Sequence, residues 1–261
     1  MRILLSNDDG ILAPGLAALR SAVADLGQVM VVAPDNPQSA AAHAITLRRA
    51  MAVRRVELAE FAGLSVDGSP ADCVRLAIRE LLKEPPDLVL AGINEGANVG
   101  INVFYSGTVA AAAEAAMTGV PAVAFSASMT GAKPDFARIA GLCRKLLDRL
   151  LAGDMARGDF VNVNVPSLDA PERPRGVRVV AQSTGGIEDI YHRELAADGT
   201  ETWRLGDDYE FVGAAHHEET DVVCLREGYI TVTPLRVDMT RHEHIEKLAA
   251  RGWALDDRQP A

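Results

Sequence analysis

Two adjacent acidic residues, Asp8 and Asp9, follow the short apolar run of residues 3–5 and precede Gly10. Neighbouring carboxylates repel, and each raises the pKa of the other unless a cation lies beside them. Oxygen ligands of this kind suit Mg²⁺, Mn²⁺ or Ca²⁺ rather than a soft metal. The pair therefore predicts either a divalent-metal site or a solvated turn in which one Asp caps the next helix.

Two further segments carry neutral oxygen donors. Ser39 lies in a loop with two prolines, and its hydroxyl can bind a cation or a phosphate, although alone it is an ordinary turn serine. Asn94 and Asn98 lie in the segment 91–100, and their carboxamide oxygens are neutral ligands for a hard cation. The glycines there are four apart and no Gly-Lys-Ser/Thr follows, so the segment is neither a dinucleotide fingerprint nor a Walker A loop.

A fourth segment, Ser106, Gly107 and Thr108, leads into an alanine-rich run that favours a strong helix. The first N–H groups of such a helix lie at the positive end of its dipole, where they bind anions. Plain capping of the helix by a hydroxyl explains the same residues. Taken together, the four segments supply carboxylates, a hydroxyl, amides and an anion site, which is the equipment for metal-assisted hydrolysis of a phosphate ester.

The elements that must position these residues alternate between strand and helix. Apolar runs of strand length occur at residues 29–33, 88–91 and 122–125, and segments with helical periodicity lie between them, as at 134–151. Such a rhythm predicts an α/β fold with a doubly wound, mostly parallel, Rossmann-like sheet. Ligands bind beyond the carboxyl ends of the strands in these folds, where the four segments would lie.

Later segments depart from this rhythm. Residues 160–165 alternate apolar and polar side chains, which predicts a strand that is half exposed or near an edge. Beyond residue 176 the sequence predicts a protruding hairpin with a two-residue turn at Asp198 and Gly199, a late strand and a C-terminal helix. We therefore expect a catalytic core of residues 1–180, and oligomerisation arms within residues 181–261 that pack partly on the core.

Composition limits the classes of partner. The chain has 261 residues, 48% of them hydrophobic, and carries 26 basic and 36 acidic residues, for a net charge of −10. It can bury a core, but it has no basic block of the kind that binds duplex nucleic acid or an anionic membrane. Its Cys73, Cys143 and Cys224 are too far apart for a zinc knuckle and favour buried core positions. Only three apolar residues precede the first acidic ones, too few for a secretory signal, so we expect a cytoplasmic protein without a membrane span.

Long, ordered motifs resemble the SurE (survival protein) family over about residues 1–240. They are residues 7–10, 33–35 with Ser39, 68–74, 92–98, 105–110, 220–222 and 228–235. The resemblance implies a 5′/3′-nucleotidase that also acts as an acid-type phosphatase, and a homodimer or homotetramer joined by exchanged C-terminal arms. It implies that Asp8, Asp9, Ser39 and Asn94 bind one divalent metal ion per subunit, Mg²⁺ or Mn²⁺, with Asp8 and Asp9 as the catalytic carboxylates. It also implies that Asn98, Ser106, Gly107 and Thr108 bind phosphate.

One loop departs from the family pattern. Asn36 stands where the family usually has arginine, Ala40 where it has glycine, and His43 where asparagine is common. Loss of the arginine removes a bidentate phosphate contact of about 1–3 kcal/mol. For His43 we favour a structural role over a titrating donor to the substrate.

Two alternatives to the nucleotidase are open at this stage. The altered loop is compatible with a non-catalytic nucleotide-sensing protein, which would bind nucleotide tightly without turnover. A nicotinamide-dependent dehydrogenase is disfavoured because the glycine fingerprint is missing.

Overall fold

A computed structural model describes residues 1–58, 61–129, 134–153, 155–167, 173–184, 186–187, 190–205, 211–212 and 219–253. The strands are β1 (Arg2–Ser6), β2 (Gln28–Pro34), β3 (Val53–Glu57), β4 (Ala62–Val66), β5 (Leu88–Glu95), β6 (Ala122–Ala127), β7 (Phe160–Val165), β8 (Val177–Val179), β9 (Gly186–Ile187), β10 (Tyr191–Leu195), β11 (Glu201–Leu205), β12 (Phe211–Val212) and β13 (Ile230–Leu235). The helices are α1 (Pro14–Ala22), α2 (Pro70–Leu76), α3 (Gly107–Met117), α4 (Phe136–Leu151), α5 (Asp221–Arg226) and α6 (Ile245–Ala249).

Nine of these strands form one sheet in the order β3-β4-β2-β1-β5-β6-β7-β13-β8. The six strands from β4 to β7 run parallel to one another, whereas β3 is antiparallel to β4 and β13 is antiparallel to β7. The predicted α/β class with a mostly parallel, doubly wound sheet is therefore confirmed. Because β1 lies between β2 and β5, the carboxyl ends of these three strands meet at one edge of the sheet.

Helices cover both faces of the sheet. Alternate residues of β1 divide between the two faces, so that Leu5 packs in the core beside α1 and α4, whereas Leu4 packs in the core beside α2 and α3. Burial on both faces explains why the strand segments are continuous apolar runs. All three cysteines are buried and unpaired, as expected.

Local signals in the sequence fix the start of α2. Ser69 caps the helix, Pro70 fills its first turn, and the Asp72 carboxylate accepts a hydrogen bond from the backbone N–H of Ser69. Among the described residues, no helix is both long and apolar enough to cross a bilayer.

The expectation of a half-exposed or edge position for residues 160–165 is wrong. They form β7, which lies between β6 and β13, and all six are buried. The polar side chains of Asn162 and Asn164 face other polar groups inside the protein rather than solvent.

The predicted hairpin is present, with a longer turn than expected. Strands β10 and β11 pair antiparallel, and all of their residues are exposed. Residues 196–200 separate the two strands, instead of two residues, and Gly199 adopts the left-handed conformation with φ of 84°. Strand β13 joins the main sheet, and α6 is exposed throughout.

Candidate active site

The first feature of the site is the residue pair that follows β1. Asp8 is 5% exposed and accepts a hydrogen bond from the hydroxyl of Thr108. Its carboxylate also faces the N–H groups of Gly107 and Thr108 at the start of α3. A Cβ on Gly107 would lie 2.8 Å from the Cβ of Asp8, so only glycine allows this close approach.

Burial raises the pKa of Asp8, and the hydrogen bonds from Thr108 and Gly107 oppose that shift. Burial also raises the pKa of Asp9 to about 6, with a further contribution from the charge of Asp8, while the N–H of Glu95 donates to Asp9 at 3.2 Å and lowers it. Two neighbouring carboxylates that both resist ionisation are the arrangement that a bound cation relieves. Asp8 and Asp9 therefore fit a divalent ion better than they fit a solvated turn.

The remaining donors near these carboxylates are neutral. Within the described part of the chain, no three His, Cys, Asp or Glu side chains gather in a metal-binding arrangement. Further protein ligands at this edge would have to be amide or hydroxyl oxygens, which suit a hard cation. Asn94 is buried, and its Nδ2 donates to the carbonyl of Gly96 at 2.7 Å, so its Oδ1 is the atom left for another partner.

Ser39 lies on an exposed loop that is attached to the site through its backbone. The N–H of Gln38 donates to the carbonyl of Asp8 at 2.7 Å, and the N–H of Ala42 donates to the carbonyl of Tyr105 at 3.0 Å. These two bonds attach the loop to the residues that follow β1 and to those that precede α3. Ser39 is thus one residue beyond the contact with Asp8.

The segment before α3 combines the two roles that its sequence left open. Ser106 caps the helix, because its hydroxyl oxygen accepts from the N–H of Val109 at 3.1 Å. The first N–H groups of the helix and the Thr108 hydroxyl point at Asp8. The positive end of this helix therefore already holds one protein carboxylate.

Asn98 lies 8% exposed above the polar side chains of β6 and β7. Its contacts with Ser126, Asn162 and Asn164 were not expected from the sequence. The available signal was the pair of asparagines within an otherwise apolar strand, which is an unusual composition for a buried segment.

The residues that depart from the family pattern have partners within the protein. Asn36 donates to Asp35 at 3.0 Å, and Arg54 lies 3.4 Å from the same carboxylate. His43 bonds through Nε2 to the buried Glu114 at 2.9 Å, which engages the ring within the fold. Ala40 adopts the left-handed conformation with φ of 56°.

Comparisons with known proteins agree with one another. The family model described as "Survival protein SurE" matches residues 3–189. A protein of Christiangramia forsetii named 5′-nucleotidase SurE is 38% identical, over 98% of this chain and 97% of its own length. One of the same name from Symbiobacterium thermophilum is 41% identical, over 97% of this chain and 98% of its own.

A solved structure gives the same result. The crystal structure of the SurE protein from Aquifex aeolicus superimposes with a TM-score of 0.82 at 35% identity, covering 96% of this chain and 99% of that one. The similarity thus extends beyond the segment that the family model matches and includes the late strand and helices. This chain belongs to the SurE family.

Proposed function

We propose that this protein is a divalent-metal-dependent phosphomonoesterase that hydrolyses nucleoside monophosphates to nucleoside and phosphate. The observation that carries the proposal is the packing of the Asp8 carboxylate against the start of α3 and of the Asp9 carboxylate against the end of β5, beside amide and hydroxyl donors. Two relatives that cover nearly the whole chain are named 5′-nucleotidases. Membership of the SurE family argues against the dehydrogenase alternative.

Asp8, Asp9, Ser39 and Asn94 would hold one Mg²⁺ or Mn²⁺ ion. When bound, such an ion supplies neutralisation of phosphate charge and a lowered pKa for water. The N–H of Glu95 and the hydroxyl of Thr108 keep the two carboxylates in fixed orientations. Asp8 or Asp9 would also receive the proton that the attacking water loses.

Asn98, Ser106, Gly107 and Thr108 would bind the oxygens of the phosphate, and Gly107 and Thr108 would share their donors between the phosphate and Asp8. Asn98 and Ser106 are both nearly buried, so their polar groups act in surroundings where hydrogen bonds are stronger than in water. The hydroxyl of Ser106 accepts from a backbone N–H and can still donate its own proton to a phosphate oxygen.

Phosphate release tests this proposal. Purified protein is assayed with nucleoside monophosphates in Mg²⁺, in Mn²⁺ and in EDTA, beside the variants Asp9→Asn and Asp25→Asn. Asp25 is an exposed carboxylate paired with Arg144, and serves as the matched control. Metal-dependent release that Asp9→Asn abolishes and Asp25→Asn preserves is the expected result.

The non-catalytic alternative makes the opposite prediction. Tight nucleotide binding by calorimetry with no phosphate release in either metal would contradict the proposal and favour a sensing protein. Because Asn36 replaces an arginine, Asn36→Arg belongs in the same series, and we expect it to lower KM for the nucleotide.

We also propose that the protein assembles as a homodimer or homotetramer through its C-terminal segments. Every residue of β10 and β11 is exposed, including Tyr191, Leu195 and Trp203, and apolar side chains this exposed favour an interface. Sedimentation of the full chain at several concentrations measures the assembly, and a monomer throughout would contradict it.

A further inference from the structure

A row of polar side chains crosses the interior of the sheet. Asn94 of β5 pairs in register with Ser126 of β6, Ser126 with Asn164 of β7, and Asn164 with Thr231 of β13. Residues paired in register point to the same face. Ser126, Asn164 and Thr231 are each 0% exposed, so the row runs from the proposed metal ligand Asn94 into the interior.

Asn98 lies over this row and is bound by two of its members, Ser126 and Asn164, and by Asn162, which lies on the same face of β7. Its backbone N–H donates to Oδ1 of Asn164 at 2.8 Å, and its carbonyl accepts from Nδ2 of Asn164 at 3.1 Å and from Nδ2 of Asn162 at 2.7 Å. Its own Nδ2 donates to Oγ of Ser126 at 2.9 Å. Three buried side chains thus fix both backbone polar groups and the carboxamide of one residue.

The rest of the segment is attached at its two ends and by the packing of Val99 against Val222 and Leu225. The N–H of Gly96 donates to the carbonyl of Ala127 at 2.9 Å, and the N–H of Gly100 donates to Asp221 at 2.9 Å. Between these attachments, Asn98 has no regular secondary structure to hold it. The asparagines of β7 supply the hydrogen bonds that a neighbouring strand would otherwise supply.

Placing these asparagines in the sheet is costly for stability. A buried polar group without a partner is unfavourable, and Oδ1 of Asn162 has none among the described residues. An apolar residue at either position would extend the core on the α2 and α3 face of the sheet, where Phe160 and Ala124 already pack. The polar side chains therefore serve the segment above them rather than the packing of the sheet.

We infer that Asn162 and Asn164 are positioning residues that bind the backbone of Asn98 and so place its carboxamide to bind the substrate's phosphate. The inference rests on the proposed function. Among the described residues, the side-chain hydrogen bonds of Asn162 and Asn164 go to Asn98, so the two residues act through it. Fixing a ligand group before the substrate arrives avoids the cost of ordering it during the reaction.

Kinetics of Asn164→Leu, which keeps the side-chain size but removes both hydrogen bonds, test the inference. We expect kcat/KM to fall roughly 10- to 100-fold, and the inhibition constant for inorganic phosphate to rise. Partial unfolding alone would lower kcat without changing that inhibition constant. Thr231→Val is the control, since it changes an equally buried residue of the same row whose hydroxyl has no partner among the described residues.

A double-mutant comparison separates positioning from stability. In an Asn98→Ala background there is no carboxamide to place, so adding Asn164→Leu should lower kcat/KM by less than twofold. If Asn164→Leu fails to fold, Asn162→Ala, which removes one bond instead of two, takes its place in the same comparison. The inference would be overturned if Asn164→Leu lowered kcat/KM by the same factor in the wild-type and Asn98→Ala backgrounds. It would also be overturned if Asn164→Leu had no effect on kcat/KM in the wild-type background.

Hydrogen exchange distinguishes a failure of the positioning role from a failure of the proposed function. The backbone N–H of Asn98, which donates to Asn164, should exchange at least tenfold faster in Asn164→Leu than in the wild type, whatever reaction the protein catalyses. Faster exchange in a protein that releases phosphate from no nucleotide would contradict the proposed function, and with it the role of Asn98. Unchanged exchange would contradict the positioning itself.

Discussion

The candidate site has two sides that are built differently. On what we call the buried side, Asp8, Asn98 and Thr108 are each at most 8% exposed and are bound through their side chains. On the loop side, residues 35–43, the side chains of Asn36 and Ser39 are exposed, and the attachment to the site runs through backbone groups. The three departures from the family pattern all lie on the loop side.

This difference shows which changes in sequence the site tolerates. A contact made by a backbone N–H, such as that of Gln38 with the carbonyl of Asp8, survives substitution of the side chain. A contact made by a side chain, such as that of Thr108 with Asp8, does not. The loop side can therefore change its chemistry toward the substrate while the carboxylates of the buried side stay in place.

The largest difference in kcat/KM is expected between two Asp→Asn variants, one on each side of the site. Asp8→Asn removes a charge of the buried side and should lower kcat/KM by about 10²–10³-fold, the size found when a preorganised electrostatic group is lost. Asp35→Asn removes a charge of the loop side, where Arg54 is its partner, and should cost less than tenfold. Equal losses in the two variants would remove the distinction between the sides.

The stability of Asp8→Asn shows whether the carboxylate serves activity or folding. Because burial raises the pKa of Asp8, its ionised form is unfavourable in the folded protein. Urea unfolding in EDTA at pH 7 should therefore show Asp8→Asn to be at least as stable as the wild type. A large loss of stability would mean that the carboxylate is a structural group.

A second prediction concerns the hydroxyl that holds Asp8. Thr108→Val leaves a buried carboxylate without its donor, so we expect a loss of about 1–3 kcal/mol in the free energy of unfolding and a fall of roughly 10- to 100-fold in kcat/KM. Thr118→Val, at the C-terminal cap of the same helix, is the control, because its hydroxyl donates to the carbonyl of Ala115 at 2.7 Å instead of to Asp8. Only the first variant should change the kinetics.

The predictable parts of the molecule are those that local sequence determines. Continuous apolar runs identified the central strands, and Ser69, Pro70 and Asp72 marked the start of α2. The proximity of the ends of β1 and β5 followed from the rule that parallel strands present their carboxyl ends at one edge, and the bond from Glu95 to Asp9 reflects it.

The parts that could not be predicted depend on contacts between distant segments. The alternation in β7 indicates exposure only if nothing polar covers it, and the covering residue, Asn98, lies 64 residues before Asn162 in the chain. The approach of Gly107 to Asp8 likewise spans about a hundred positions, as the neighbouring contact of Thr108 does. The local sequence around these residues predicts neither contact.

A third prediction uses low pH to break the contacts of Asp72 with Thr46, which lies three residues beyond the loop side. Asp72 accepts from the N–H of Thr46 at 2.9 Å, from its hydroxyl at 2.7 Å, and from the N–H of Ser69 at 3.0 Å. Burial raises the pKa of Asp72, but these hydrogen bonds outweigh burial and leave the pKa below its usual value. Its stabilising contribution is thus complete above the unfolded-state pKa, near 3.9, and is lost as the pH falls through the lower folded-state pKa.

Urea unfolding between pH 5 and pH 3 measures this contribution. The wild type should lose about 1 kcal/mol more stability over this range than Asp72→Asn, because the other carboxylates titrate in both proteins. Asp67→Asn, which removes an exposed partner of Arg49, should behave like the wild type. Parallel curves for the wild type and Asp72→Asn would show that Asp72 does not anchor the chain at Thr46.

The smallest expected effect concerns a backbone conformation on the loop side. Ala40 has a φ of 56°, a region that costs a residue with a Cβ about 1–2 kcal/mol, whereas glycine adds about 0.5–1 kcal/mol of unfolded-state entropy. Ala40→Gly should therefore raise the free energy of unfolding by up to about 1 kcal/mol. Its neighbour Ala41 has no positive φ, so Ala41→Gly should instead lower stability by about 0.5–1 kcal/mol.

Opposite signs for Ala40→Gly and Ala41→Gly would show that the strain lies at the residues with a positive φ, which on the loop side are Ala40 and Ala42, rather than in the loop as a whole. Since the two alanines lie next to each other in one exposed loop, a general change in loop flexibility would affect both variants alike. We expect kcat/KM of both to stay within about twofold of the wild type, because the bond from Gln38 to Asp8 involves neither alanine. A larger kinetic change in Ala40→Gly than in Thr108→Val would instead place the determinants of turnover on the loop side, and would reverse the contrast between the two sides.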